Sequence, residues 1–132
     1  MQKGEVIFCP HYIFPDGEEG KKLVVNLNNP SQGEPYLLLL TTSKRKSKIE
    51  SAGCYSHKGY YVIPAGSDLF TTDYTWILFW TLHEFSLEEE LRESWNSNFQ
   101  TVGILKPQTI NAIISCIKNS SYINAKQIAY LK

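Results

Sequence analysis

At 132 residues, with 42% hydrophobic and 20% charged side chains, the chain is sized for one domain, 1–132, around a single core and is too apolar for a disordered polypeptide. Thirteen Lys and Arg balance thirteen Asp and Glu, which excludes attraction to nucleic acid by net charge and leaves only a local patch to do it. No apolar run approaches membrane-spanning length, Met1 to Glu5 does not open a signal peptide, and Cys9, Cys54 and Cys116 form no Cys-x-x-Cys pair. These features predict reduced thiols in a cytoplasmic protein that does not enter a membrane.

In chain order, Val6, Ile7 and Phe8 predict a first strand over Glu5–Cys9, and Pro15-Asp16-Gly17 predicts a turn within a loop over residues 10–20. Lys21 and Lys22 lead into a second strand, Leu23–Leu27. After the turn-rich Asn28 to Gly33, Tyr36–Thr42 reads as a third strand, apolar on both faces and therefore central. It ends in Thr41-Thr42-Ser43 and runs into Lys44-Arg45-Lys46-Ser47-Lys48, which holds four cations and no acid. Residues 43–58 are polar and predict a surface excursion. Tyr60–Ile63 and the aromatic, β-branched Tyr74–Leu82 predict two more strands.

Ser86-x-x-Glu89 has capping-box form and opens a helix with Leu87, Leu91 and Trp95 at helical spacing. Val102–Leu105 predicts a short sixth strand. Pro107 then occupies a first helical position, and Ile110, Ile113, Ile114 and Ile117 form a stripe at i, i+3, i+4, i+7. Asn124–Tyr130 predicts a last short helix. Strands first and helices late predict an α+β domain with a curled, mostly antiparallel sheet, and the short strands with tight loops predict a small barrel.

Cations and hydroxyls at the mouths of apolar strands suit a phosphate-bearing ligand. Lys21, Lys22, Thr42 and Ser43, with Lys44, Arg45, Lys46 and Lys48, are the candidates to touch it. His11 starts the loop that leads to Lys22 and is the candidate proton carrier. Tyr12, Phe14, Tyr55, Tyr60 and Tyr61 flank the same loops and are candidates to stack on unpaired bases. Each group has a plainer reading as a solvated strand entry, a strand cap, a surface histidine or core. Trp76, Phe79 and Trp80 read as core or dimer interface. Cys9, His11, Cys54 and His57 contain the donors of a zinc centre but lack the repeated short-gap pairs of one, so no metal and no cofactor is predicted.

Lys3-Gly4-Glu5-Val6-Ile7, Gly20 to Val25, Leu39-Leu40-Thr41-Thr42-Ser43, Tyr74-Thr75-Trp76-Ile77 and the isoleucine-striped helix follow one another as do the segments of a known family. Through them, over most of its length, the chain resembles the MazF/PemK-type toxins, the ribonuclease half of bacterial toxin–antitoxin pairs. The resemblance implies an SH3-like barrel with added helices, one of them C-terminal. It also implies a homodimer, an antitoxin protein as partner, and metal-independent cleavage of single-stranded RNA. The family's catalytic Arg falls on Lys22, and its catalytic Thr or Ser falls on Thr42 with Ser43 beside it. The family's Arg-Pro is Lys22-Leu23 here, and an ammonium lacks the planar fork of a guanidinium. Altered or lost cleavage follows as one expectation. The alternative is a non-catalytic module on the same barrel that binds nucleic acid or a protein.

Overall fold

The structure, a computed structural model, describes residues 1–13, 19–43, 51–70, 74–88 and 99–131, without the side chains of 11–13, 19 and 20. Its strands are β1 (Glu5–Ile13), β2 (Glu19–Asn26), β3 (Tyr36–Thr42), β4 (Gly53–Tyr55), β5 (Tyr60–Ile63), β6 (Thr75–Phe85) and β7 (Gln100–Ile104). The helices α1 (Pro107–Lys118) and α2 (Ala125–Tyr130) follow. The strands make one seven-stranded sheet in the order β4-β5-β6-β3-β2-β1-β7. All of these neighbours are antiparallel. The α+β class and the antiparallel sheet are as predicted. Among the described residues the pairing does not return from β7 to β4, and the sheet is not closed into the predicted barrel.

β3 lies at the centre because its apolar run can be buried on both faces, and Tyr36 to Thr41 are all buried. Side chains alternate along a strand, so its odd and even members serve different cores. Leu37 and Leu39 join Val6, Val25, Leu27, Ile63, Ile77 and Phe79 under α1, whose Ile110, Ile113, Ile114 and Ile117 form the predicted buried stripe. Leu38 and Leu40 face the other way, with Ile7, Cys9, Val24 and Tyr36.

Pro107 occupies the first turn of α1, where its missing N–H costs no hydrogen bond. Asp68, in the left-handed region at φ 57, accepts from the Lys106 N–H at 3.0 Å and from the Thr109 hydroxyl. This carboxylate fixes the start of the helix from a distant loop. α2 carries a capping box: Asn124 Oδ1 accepts from Gln127 N at 2.8 Å, and Gln127 Oε1 accepts from Asn124 N at 3.1 Å.

Several boundaries differ from the sequence expectation. The loop predicted over 10–20 is shortened, because β1 runs on to Ile13 and pairs Tyr12 with Gly20 and Ile13 with Glu19. A bulge between Cys9 and Tyr12 takes in Pro10 and His11, and a bulge tolerates a proline that cannot donate to the ladder. β6 extends beyond Leu82 to Phe85. Its register against β3 shifts between Leu38↔His83 and Leu40↔Leu78. Thr81 closes the irregularity, accepting from Leu40 N at 2.9 Å and donating to Leu78 O at 2.6 Å. The surface excursion predicted over 43–58 contains a short strand, β4, paired with β5. The helix predicted from Ser86 lies outside the described residues beyond Glu88.

The expectation of reduced thiols is overturned for two of the three cysteines. Cys54 on β4 and Cys116 on α1 form a disulfide across 62 residues, and Cys9 is a buried thiol. Sequence spacing reports short-gap pairs and is blind to a partner that only the fold brings near. The disulfide removes the ground on which the thiols pointed to the cytoplasm. It also withdraws Cys54 from the zinc constellation, since a disulfide sulfur is not a thiolate ligand. No helix among the described residues is long and apolar enough to cross a membrane.

The β4–β5 turn depends on Gly59, at φ +87 with its N–H donating to Tyr55 O at 2.9 Å. A Cβ added there would lie 2.6 Å from a Tyr122 ring carbon and 3.2 Å from Trp80. Gly59→Ala is expected to lower unfolding free energy by about 2 kcal/mol, combining left-handed strain with displacement of two rings. Urea denaturation checks this, and an unchanged midpoint contradicts it.

Candidate functional site

The β1–β2 hairpin outruns β3. β2 remains paired to β1 as far as Glu19, whereas the β2–β3 ladder is formed at Val24↔Leu40, Val25↔Leu39 and Asn26↔Leu38, and β3 ends at Thr42. Where one strand stops and its neighbour continues, the sheet leaves a notch. An open pocket of about 180 Å³ sits there, lined by Lys21, Lys22, Leu23, Thr41, Thr42 and Ser43.

Continuing the β2–β3 register by two residues sets Lys22 opposite Thr42. Lys22 is also the partner of Cys9, and Thr42 is the partner of Trp76. Cross-strand partners point to the same face, so Cys9, Lys22, Thr42 and Trp76 form a row over β1, β2, β3 and β6. Cys9 and Trp76 are buried, while Lys22 and Thr42 are half-buried. The apolar ends of the row hold its polar middle in place.

The hydroxyl triplet divides by burial. Thr41 is buried, and its Oγ1 donates to Leu23 O at 3.1 Å. It ties β3 to β2 and has spent its proton on the backbone. Thr42 is half-buried in the pocket, and Ser43 is exposed at its lip. Lys21, beside Lys22 on β2, is exposed and also lines the pocket. The pocket lining therefore gathers lysine and hydroxyl side chains, with Lys22 and Thr42 on one face and Lys21, next to Lys22 along the strand, turned to the other.

Of the residues predicted from sequence, Lys21, Lys22, Thr42 and Ser43 meet in this notch. Lys44, Arg45, Lys46 and Lys48 lie outside the described residues, as do the side chains of His11 and Tyr12. The backbone of His11 falls in the β1 bulge, two residues beyond Cys9, the partner of Lys22. Tyr61, a candidate for base stacking, packs against the main core, and burial pushes its phenol above the usual tyrosine range.

Two further residues shape the site. Leu23 anchors the hydroxyl triplet through its carbonyl. Trp76 stands beside Thr42 with a buried indole N–H that has no acceptor among the described residues. Trp76 was legible as an apolar strand residue; its placement next to Thr42 depends on the β3–β6 register, which no local pattern reports. The fold is an antiparallel α+β arrangement, and the notch gathers lysine and hydroxyl side chains at a strand end. No family model matches the chain, and searches of curated proteins and of solved structures find no match.

Proposed function

We propose that the protein is a MazF/PemK-like, metal-independent endoribonuclease that cuts single-stranded RNA, with the notch between β2 and β3 as its phosphate site. The observation that carries this reading is the convergence of Lys22 and Thr42, twenty residues apart in sequence, in one pocket with Lys21 and Ser43. On this reading the sheet corresponds to the family's small barrel, the protein works as a homodimer, and an antitoxin protein is its partner.

In the proposed reaction the ribose 2′-oxygen attacks the adjacent phosphorus and gives up its proton. The P–O5′ bond breaks, leaving a 2′,3′-cyclic phosphate and a 5′-hydroxyl end. The Lys22 ammonium and the Thr42 hydroxyl stabilise charge on the non-bridging oxygens as the phosphorus becomes five-coordinate. Lys21 and Ser43 hold the flanking backbone, and the Lys44 to Lys48 cations extend that grip. His11 is the proposed proton carrier.

One observation favours a second reading, a non-catalytic nucleic-acid-binding module. Among the described residues, those lining the notch supply ammonium and hydroxyl groups but neither an imidazole nor a carboxylate. Incubating the protein with long RNA in EDTA separates the two. Fragments with cyclic-phosphate ends, absent with a Lys22→Ala/Thr42→Ala variant, are expected. Intact RNA with binding that the double variant weakens assigns the module, and RNA neither cut nor bound sinks both readings.

A further inference from the structure

A second group of residues lies away from the notch. Trp80 and Tyr122 are large apolar side chains left 48% and 40% exposed. Their ring centroids are 6.4 Å apart at 59°. Trp80 also meets Tyr60 edge-on at 6.5 Å, and Tyr60 meets Tyr55 at 5.4 Å. The Lys58 ammonium stands 5.4 Å from the Tyr55 ring centroid. Tyr60 is buried and serves as the wall of this cluster; Trp80 and Tyr122 are its open rings. Gly59 forms the floor, where any side chain would meet both.

The chemistry selects a flat ligand attached to an anionic chain. The two open rings offer π-faces with polar edges, an indole N–H and a phenol, which suit a heteroaromatic base better than an aliphatic side chain. Lys58 and His57, both exposed, lie in the turn that leads to Gly59, and the Lys58 ammonium stands over the Tyr55 ring of the cluster.

The cluster and the notch share one side of the sheet. Trp76 is the partner of Thr42, and Leu78 that of both Leu40 and Tyr60. Tyr60 therefore faces the same way as Thr42, and its ring touches Trp80. Trp80 lies four residues beyond Trp76 along β6, about 13 Å at the rise of a strand. That is a separation of a few nucleotides.

We propose that Trp80 and Tyr122 form a platform on which unpaired bases stack when the backbone of the same single strand occupies the Lys22–Thr42 notch. The platform rests on the phosphate-site reading above and adds to it the part of the ligand that the platform recognises. It also assigns Trp80 to ligand contact, where its sequence context reads as core or dimer interface.

The test uses labelled 2′-O-methyl oligoadenylate, which cannot be cut by attack of its own 2′-oxygen, and an abasic strand of equal length. Fluorescence anisotropy is expected to show that the wild-type protein prefers the base-bearing strand by about tenfold, in the range of one aromatic–base stack. Trp80→Ala is expected to abolish that preference and leave abasic affinity unchanged, with Trp80→Phe retaining part of it. Lys22→Ala is expected to weaken both strands alike. Equal wild-type affinity for the two strands, or a preference that survives Trp80→Ala, overturns the platform alone. Failure to bind either strand overturns the notch along with it. A concentration-dependent dimer that Trp80→Ala dissolves, with no base preference, gives the face to a second copy of the chain instead.

Discussion

Lys22→Ala is expected to lower RNA cleavage in EDTA by about a hundredfold or more, the loss typical when one preorganised donor to a developing oxyanion is removed. The position concentrates the effect. Lys22 lies within a ladder between buried Cys9 and the end of β3, so its ammonium does not need to be recruited from a free loop. Lys22→Arg is the informative partner variant. A guanidinium supplies the fork that the family's arginine uses, and it is expected to match or exceed wild-type cleavage if the pocket admits it. Thr42→Ala is expected to reduce cleavage while Thr42→Ser restores it. Thr41→Ala behaves differently: its hydroxyl is bound to the Leu23 carbonyl, so the loss appears in stability first. The salt dependence of binding gives an independent reading, because removing one phosphate contact lowers the slope of log affinity against log salt by about 0.7 on a single strand. Equal cleavage by wild type and Lys22→Ala removes this residue from the reaction.

How far the sequence carried depended on whether a feature was local. The α1 stripe, Pro107 at its start, the short helix near 124–130 and the central position of β3 were all readable, because each follows from periodicity or from one residue's backbone preference. The meeting of Lys22 with Thr42 was inferred from a resemblance and from chemistry at strand mouths. Its geometric basis, a hairpin that outruns its neighbour, appears only in the register. Extension of β1 through Pro10 was hidden because proline and the Pro15-Asp16-Gly17 turn both argue for a loop, and the bulge that accommodates Pro10 leaves no mark of its own. The β4 strand is three residues long, too short for alternation to show. Trp80 reads as core or dimer interface in a strand full of apolar residues, yet it is 48% exposed, and no local pattern separates it from its buried neighbours Trp76 and Leu78 on the same face. The Cys54–Cys116 bond was invisible for the same reason: it joins a sheet edge to a helix that only folding brings together.

Removing that bond is expected to have the largest effect on stability of any change considered. Closing a loop of 62 residues restricts the unfolded chain by about 4 kcal/mol in the loop-entropy account. Urea unfolding with and without dithiothreitol measures it, and a Cys54→Ala/Cys116→Ala variant serves as the matched control. The midpoint is expected to fall, and the denaturant slope to rise as the uncrosslinked chain exposes more surface. Opening should begin at β4, a three-residue edge strand whose ladder partner is β5. Its amides are expected to lose hydrogen-exchange protection in reductant before those of β3 do. The notch stands on β2 and β3, on the far side of β5 and β6 from that edge, so phosphate binding is expected to persist in reductant wherever the protein stays folded. Base preference is expected to weaken first, because Tyr55 and Lys58 belong to the hairpin that the bond holds. A denaturation midpoint that reductant leaves in place shows that the covalent link adds little to what β4–β5 pairing already holds.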